Sequence, residues 1–278
     1  MESGQPSRTA LGAAALRAAH QLLDEGRIFA DPLARRILGA DADALVQDVG
    51  SDPGRQRLRL FVAVRTRFAE DALRAATEEG VRQLVVLGAG LDTYAYRTRL
   101  DNLRIFEVDH PDTQEWKRER LSEAAIPVPS SLTFAPVDFE RETLADGLAK
   151  AGFDPSARTF FTWLGVVPYL TENAVYSTLD FIARLKGGAH VVFDYANPRA
   201  PDEDGGAALE ELAARVASVG EAFKSYFESD DLFAKLKALG FREIEDLGPG
   251  QIGTRYFAKR SGTPRNRGGH IVRATTIA

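Results

Sequence analysis

The sequence predicts an α/β fold with a mostly parallel, seven-stranded sheet, one antiparallel strand and a helical lid. The first observation is that short apolar segments alternate with amphipathic helical segments after residue 80, as in sheets covered by helices on both faces. The second is that only about seven residues separate the last two strand candidates. Because a parallel crossover needs a longer connection, we expect these two strands to pair antiparallel.

The predicted elements follow from hydrophobic periodicity, which distinguishes strands from helices along this part of the chain. The strand candidates are 82–88, 103–109, 132–137, 159–164, 189–195, 241–246 and 254–259. The helix candidates between them are 111–124, 140–151, 171–185 and 230–239.

The alternating region predicts one binding domain with additional segments on either side. Residues 1–79 read as a helical cap, with helices at 8–24 and 56–79 and a short one that ends near Gly39. Residues 80–260 form the binding domain and carry a polar insertion at about 197–228. Residues 261–278 read as a tail.

The composition narrows the class of protein. The 278 residues include no cysteine, which excludes disulfides, thiolate catalysis and cysteine-bound metals, and we predict no metal site. A net charge of −5 does not favour nucleic acid as a partner. Neither a signal-peptide core nor an 18-residue apolar run is present, so we expect a cytoplasmic protein without a membrane partner. The composition does not predict an oligomeric state.

The segment QLVVLGAGLDTYAYR, residues 83–97, carries the first functional signal. Gly88 and Gly90 end a strand, where open α/β sheets bind their ligands. A dinucleotide turn requires a third glycine, and Thr93 stands there. The pattern therefore favours a nucleotide ligand without a pyrophosphate.

Two acidic residues end the next two strands. Asp109 lies 19 residues after Gly90 and is placed to accept hydrogen bonds from ribose hydroxyls. Asp138 is placed to accept from an adenine amino group, and Phe139 to cover the ring. Each acid has an alternative role as the cap of the following helix. Together with the glycines, they favour S-adenosylmethionine over NAD.

Arg65 falls on the apolar face of the helix predicted at 56–79. A guanidinium that faces a core requires an anionic partner. The alternatives are an internal Asp or Glu and the carboxylate of the cofactor's methionyl end, which arginine binds with two hydrogen bonds.

These segments resemble a known family. They are RTRFAEDAL, VVLGAGLDTYAYR, FEVDHPDTQEWKRERL, PVDF, FFTWLGVVPYLT and SYFESDDLFAKLKALGF with RYFAKR, and they run in order from about residue 9 to 260. The sequence resembles the leucine carboxyl methyltransferase-like family of S-adenosylmethionine-dependent O-methyltransferases. The resemblance implies a Rossmann-like class I methyltransferase fold.

The resemblance also implies site residues. Arg65 and Arg17 would lie at the cofactor carboxylate, Gly88 beside its methionyl part, Asp109 at the ribose, and Asp138 with Phe139 at the adenine. One residue departs from the family pattern: relatives often have Glu where this chain has Leu164. A cofactor contact made by that Glu is absent here or supplied by the backbone.

The acceptor is expected to be a small, acidic molecule. A carboxylate is ionised at pH 7 and needs no general base, whereas a phenol benefits from one. None of the four histidines occupies a position that suggests such a base, so the sequence names no catalytic residue. We expect the methyl group to go to an oxygen of a small molecule, such as a natural product, with a carboxylate favoured and a phenol as the alternative. The candidates for acceptor binding are Tyr169, beyond the fourth strand, and Arg97.

Two other functions remain open from the sequence. One is an NAD(P)-dependent oxidoreductase, against which Thr93 and the lack of a clear proton relay argue. The other is a non-catalytic cofactor-binding protein, which Leu164 makes conceivable.

Overall fold

The computed structural model describes residues 8–139, 141–198, 213–214, 222–257 and 268–277. Its seven strands are β1 (Gln83–Leu87), β2 (Arg104–Asp109), β3 (Leu132–Pro136), β4 (Thr159–Trp163), β5 (Ala189–Ala196), β6 (Glu245–Leu247) and β7 (Gly269–Thr275). The strand order is β3-β2-β1-β4-β5-β7-β6. Strand β7 runs antiparallel to both of its neighbours, β5 and β6. The predicted fold class, a mostly parallel seven-stranded sheet with one antiparallel strand, is confirmed.

The helices begin and end where the local sequence favours it. Helix α6 starts with a capping box between Thr143 and Asp146, and helix α5 starts with Pro111 in its first turn. The α-helices are α1 (Arg8–Leu23), α2 (Ala42–Ser51), α3 (Arg55–Glu78), α4 (Tyr94–Arg97), α5 (Pro111–Glu123), α6 (Leu144–Lys150), α7 (Glu172–Ala183), α8 (Ser229–Leu239) and α9 (Pro249–Phe257). Two 3₁₀ helices cover Arg36–Asp41 and Val167–Tyr169.

The chain divides into two compact units. The first comprises Met1–Asp71 and Arg82–Asp154, and the second comprises Ala72–Val81 and Pro155–Ala278. In the first unit, β1 pairs parallel with β2, and β2 with β3. An apolar cluster in this unit joins α1, α2 and the 3₁₀ helix to Leu91, Leu121 and Ile126. The N-terminal helices therefore pack against the segments that follow β1 and β2.

In the second unit, β4 pairs parallel with β5, and β7 lies between β5 and β6. Strand β5 is buried along its whole length, as expected for a central strand. The core of this unit includes three fully buried aromatic residues, Phe160, Phe161 and Phe193.

The prediction for the C-terminal region was wrong in two places. Residues 254–259 were expected to form a strand, but Pro249–Phe257 is helix α9, which begins at a proline as helices often do. The antiparallel strand is instead Gly269–Thr275, within the region assigned to a tail. This strand is mostly buried and lacks a simple alternation of polar and apolar residues, which hid it in the sequence.

The N-terminal cap differs from the prediction in one detail. The short helix expected to end near Gly39 is a 3₁₀ helix in which Gly39 has a φ of 67°, and helix α2 follows at once. Most of the insertion predicted at 197–228 and the first part of the predicted tail lie outside the described residues.

Candidate functional site

The glycine turn lies at the carboxyl end of β1, in the first unit. Both glycines need positive φ angles, 62° at Gly88 and 44° at Gly90, which glycine adopts without steric cost. Gly88 is exposed and Gly90 is buried. A Cβ on Gly90 would lie 2.9 Å from the Cβ of Ala10 in α1, so this glycine also permits the helix to approach the turn.

Asp109 joins the glycine turn to the end of β2. One carboxylate oxygen accepts a hydrogen bond of 2.6 Å from the backbone N–H of Gly90, and the other accepts one of 2.7 Å from the N–H of His110. Burial raises the pKa of Asp109, and these two hydrogen bonds oppose that effect. Each oxygen of a carboxylate has two lone pairs, so both retain acceptor capacity for hydroxyl groups.

Asp138 and Phe139 follow β3. The backbone N–H of Val137 donates to the carbonyl of Asp109, which brings this segment next to the end of β2. The Asp138 carboxylate lies 3.3 Å from the Arg141 guanidinium. The Phe139 ring is 62 % exposed, an unusual state for a large apolar side chain. An exposed aromatic face beside an acidic residue is suited to cover a flat ring.

Arg65 is buried in α3, with only 9 % of its surface exposed. The sequence placed it on the apolar face of this helix, and its burial and that of Phe68, Ala72 and Ala76 confirm that face. The guanidinium carbon lies 6.0 Å from the centre of the Phe61 ring.

Arg17 in α1 is also buried and reaches the glycine turn. Its guanidinium donates a hydrogen bond of 2.6 Å to the carbonyl of Leu91. Its Nε lies 3.6 Å from the carboxylate of Asp31. The structure therefore brings Arg17 to Leu91, the residue that follows Gly90.

Asp31 was not singled out in the sequence, although its carboxylate is fully buried. It accepts hydrogen bonds of 2.6 Å from the Thr93 hydroxyl and 3.0 Å from the N–H of Leu33. The signal for it was an acid followed by proline within the apolar segment FADPLA.

The two candidates for acceptor binding have protein partners. Arg97 forms a bidentate ion pair with Glu70, and its Nε lies 3.6 Å from Asp31. Burial raises the pKa of Glu70. Tyr169, in the second unit, packs edge-on against Phe223 with ring centres 5.2 Å apart. Leu164 is half-buried in that unit, and the next residue donates its backbone N–H to Asp194 over 2.6 Å.

The four histidines all make contacts within the protein. His20 is buried 2.9 Å from Asp24, and His110 accepts from the N–H of Asp112 at the start of α5. The other two are buried: His190 stacks on Phe160, and His270 lies 2.8 Å from Asp246.

A buried ion pair lies two residues before Asp109 on β2. Glu107 is fully buried, with Lys117 Nζ at 2.7 Å and the Tyr96 hydroxyl donating over 3.2 Å. Burial raises the pKa of Glu107 to about 7, and Lys117 opposes that effect.

The residues of the first unit fit a cofactor that has a carboxylate, a ribose and an adenine. The buried cations Arg17 and Arg65 suit a carboxylate, and the spare acceptor sites of Asp109 suit hydroxyls. The exposed ring of Phe139 beside Asp138 suits an adenine. No group of three or more His, Cys, Asp or Glu side chains among the described residues could hold a metal ion.

The sheet order and the glycine turn with its two acids define the class I methyltransferase fold. A solved structure from Thermobifida fusca YX, titled "a putative methyltransferase", has this fold. Its TM-score is 0.59 at 15 % identity, and the match covers 100 % of this chain and 97 % of the other. The sequence profile of leucine carboxyl methyltransferase matches residues 10–183. The chain belongs to the leucine carboxyl methyltransferase family.

Relatives cover nearly all of the chain. The Bacillus subtilis (strain 168) protein named "Putative S-adenosyl-L-methionine-dependent methyltransferase YktD" is 30 % identical over 289 residues, which is 94 % of each chain. A Mycolicibacterium smegmatis protein with the same class of name is 34 % identical over 248 residues, 84 % of this chain and 79 % of its own. The prediction of a methyltransferase enzyme is confirmed, and the oxidoreductase and the non-catalytic binding protein are set aside.

No helix within the described ranges is long and apolar enough to cross a membrane.

Proposed function

We propose that this protein is an O-methyltransferase that uses S-adenosylmethionine and methylates a carboxylate of a small, acidic molecule. The observation that carries the choice of a carboxylate is the engagement of all four histidines with other groups of the protein. An acceptor that is already ionised at pH 7 requires no imidazole to remove a proton. The family name, which specifies a carboxyl group, supports the same choice.

Residues of the first unit would bind the cofactor. Arg65 and Arg17 would hold its carboxylate, and Gly88 would allow the methionyl part to approach the backbone. Asp109 would accept hydrogen bonds from the ribose hydroxyls with the lone pairs that Gly90 and His110 leave available. Asp138 would accept from the adenine amino group, and Phe139 would cover the ring.

The bound cofactor supplies an electrophilic methyl group on a sulfonium, and the protein supplies the geometry. Methyl transfer is an in-line displacement, in which alignment and proximity provide much of the rate enhancement. We expect Tyr169 to line the acceptor side. Arg97, held by Glu70, would contribute positive charge at the turn. The N-terminal helices would form a lid that excludes water.

The first experiment measures cofactor binding by isothermal titration with S-adenosylmethionine and its demethylated product. Asp109→Ala should abolish measurable binding, because the ribose loses its acceptor and the turn loses the bond to Gly90. Asp101→Ala, which removes an exposed acid in the turn before β2, serves as the matched control and should bind normally. Equal affinity of the Asp109 variant and the wild type would show that the ribose assignment is wrong.

The second experiment identifies the acceptor. A metabolite extract is incubated with cofactor that carries an isotopically labelled methyl group, and labelled products are detected by mass spectrometry. A methyl ester releases labelled methanol in mild alkali, whereas a methyl ether does not. Alkali-stable label would contradict a carboxylate acceptor and favour a phenol.

A further inference from the structure

Asp31 connects three segments of the first unit. Its carboxylate is completely buried and accepts hydrogen bonds from the backbone of Leu33 and the hydroxyl of Thr93. The guanidinium groups of Arg17 and Arg97 approach it, each with its Nε at 3.6 Å. A buried carboxylate is costly unless hydrogen bonds and cations compensate it, and Asp31 has both.

These contacts form a closed ring that runs through Leu91 and Thr93, just after the glycine turn. Thr93 is bound to Asp31, Asp31 is beside Arg17, and Arg17 donates to the carbonyl of Leu91, two residues before Thr93. Helix α1 is therefore fastened to the turn at Leu91, while its first turn meets Gly90 through Ala10. The ring fixes the position of Arg17 relative to the glycines.

Thr93 occupies the position of the third glycine of a dinucleotide turn, and the ring explains how a larger residue is accommodated there. Its side chain is only 1 % exposed, and the hydroxyl donates to Asp31 over 2.6 Å. Arg97 Nε also donates to this hydroxyl over 3.2 Å. Loss of the hydroxyl would leave the buried Asp31 short of one donor.

We propose that Asp31 is a positioning residue for cofactor binding, which acts through Thr93 and Arg17 and does not touch the cofactor. This inference rests on the cofactor site proposed above. Asp31 holds the turn and the Arg17 guanidinium in the arrangement that receives the cofactor carboxylate. Its loss weakens cofactor affinity more than it changes turnover at saturating cofactor.

The test begins with Thr93→Val, which keeps the volume and removes the hydroxyl. Thr113→Val is the matched control, because Thr113 is equally buried at 1 % exposure and its hydroxyl has no hydrogen-bond partner among the described residues. Both variants are titrated with the demethylated cofactor, and their thermal unfolding is recorded. We expect Thr93→Val to bind about tenfold more weakly, as the loss of one bond to a charged acceptor implies. Thr113→Val should bind as the wild type does.

Two further variants separate positioning from general stability. Thr93→Ser keeps the hydroxyl and should restore affinity to within about twofold, a difference well below one hydrogen bond. Asp31→Asn combined with Thr93→Val should bind no more weakly than the weaker single variant, because both changes break the same link. At saturating cofactor, turnover by Thr93→Val should stay near that of the wild type, with the loss confined to KM.

Several outcomes would overturn the proposal: unchanged affinity of Thr93→Val, an equal loss in Thr113→Val, or additive losses in the double variant. If Asp31→Asn does not fold, the three threonine variants decide the question alone. The Asp109→Ala titration keeps the two claims apart. Normal binding by that variant refutes the ribose assignment of the proposed cofactor site. Failure of that variant to bind, together with normal binding by Thr93→Val, refutes only the role of Asp31.

Discussion

Gly90→Ala tests the claim that helix α1 packs directly onto the glycine turn. The new Cβ would lie 2.9 Å from the Cβ of Ala10, closer than carbon atoms pack, and the backbone would keep a φ of 44°. The left-handed conformation costs a non-glycine residue about 1–2 kcal/mol. Overpacking against the helix adds about 1–3 kcal/mol. Reduced freedom of the unfolded chain offsets about 0.4–1 kcal/mol.

The net expectation is a loss of about 1–4.5 kcal/mol in the free energy of unfolding. For a chain of this size, such a loss lowers Tm by roughly 2–8 °C. Gly12→Ala is the matched control, because Gly12 lies in α1 and the added Cβ would meet no other part of the described chain within 4 Å, apart from its own helix backbone and neighbouring residues. It should raise stability by about 0.5–1 kcal/mol, since alanine favours a helix.

Thermal unfolding of the two variants is measured side by side, together with titration of the demethylated cofactor. Gly90→Ala should unfold earlier and bind weakly, because the turn and Ala10 must move apart. Equal Tm values for the two alanine variants would refute the close packing of α1 on the turn. A destabilised Gly90 variant with normal affinity would show that the turn tolerates this movement without loss of the site.

Two further predictions concern the adenine side and the buried ion pair. Phe139→Ala should weaken cofactor binding by about tenfold, as expected for loss of an aromatic contact, yet leave Tm nearly unchanged because the side chain is exposed. The control Val128→Ala, at another exposed apolar residue, should change neither cofactor binding nor Tm. An unaltered Kd for Phe139→Ala would remove the ring from the site. The pKa of Glu107 is about 4.5 in the unfolded chain and about 7 in the folded protein. Between these pH values the folded protein binds the proton more tightly, so the contribution of Glu107 to the free energy of unfolding falls as pH rises. The slope is at most about 1.4 kcal/mol per pH unit. Denaturant unfolding from pH 4.5 to 8 should therefore show a smaller decline in the free energy of unfolding for Glu107→Gln than for the wild type. Glu119→Gln, at an exposed residue, is the control and should follow the wild type. Parallel plots of unfolding free energy against pH for Glu107→Gln and the wild type would contradict the raised pKa.

The parallel strands of the sheet could be predicted from the sequence because each is a short apolar run before a turn or a helix. Strand β1 is buried at every position and ends just before Gly88, so the sequence predicted both its type and its end. Strand β7 was not predicted, because it follows a glycine-rich segment and lies far along the sequence from its partner β5. Pairing between residues so distant in sequence leaves no local trace when both faces are buried.

The residues of the candidate site also divide into those that the sequence predicted and those that it did not. Gly88, Gly90, Asp109 and Asp138 follow strand ends, so their proximity is a consequence of parallel pairing. Asp31 follows no predicted strand, and its significance depends on side chains 14 residues before it and 62 residues after it. Periodicity does not report such contacts. Only an acid within an apolar segment hinted that the residue is buried and paired.

The short length of helix α4 indicates which groups supply positive charge at the glycine turn. In dinucleotide folds the third glycine lets a long helix pack against the strand and present its N-terminus to a pyrophosphate. Here the corresponding helix has only four residues, and Thr93 before it directs its hydroxyl to Asp31. So short a helix has few aligned peptide dipoles to attract an anion. The positive charge near the turn must therefore come from side chains, and the structure holds two guanidinium groups there: Arg17, bonded to Leu91, and Arg97, bonded to Thr93. A cofactor with one carboxylate and no pyrophosphate matches that arrangement.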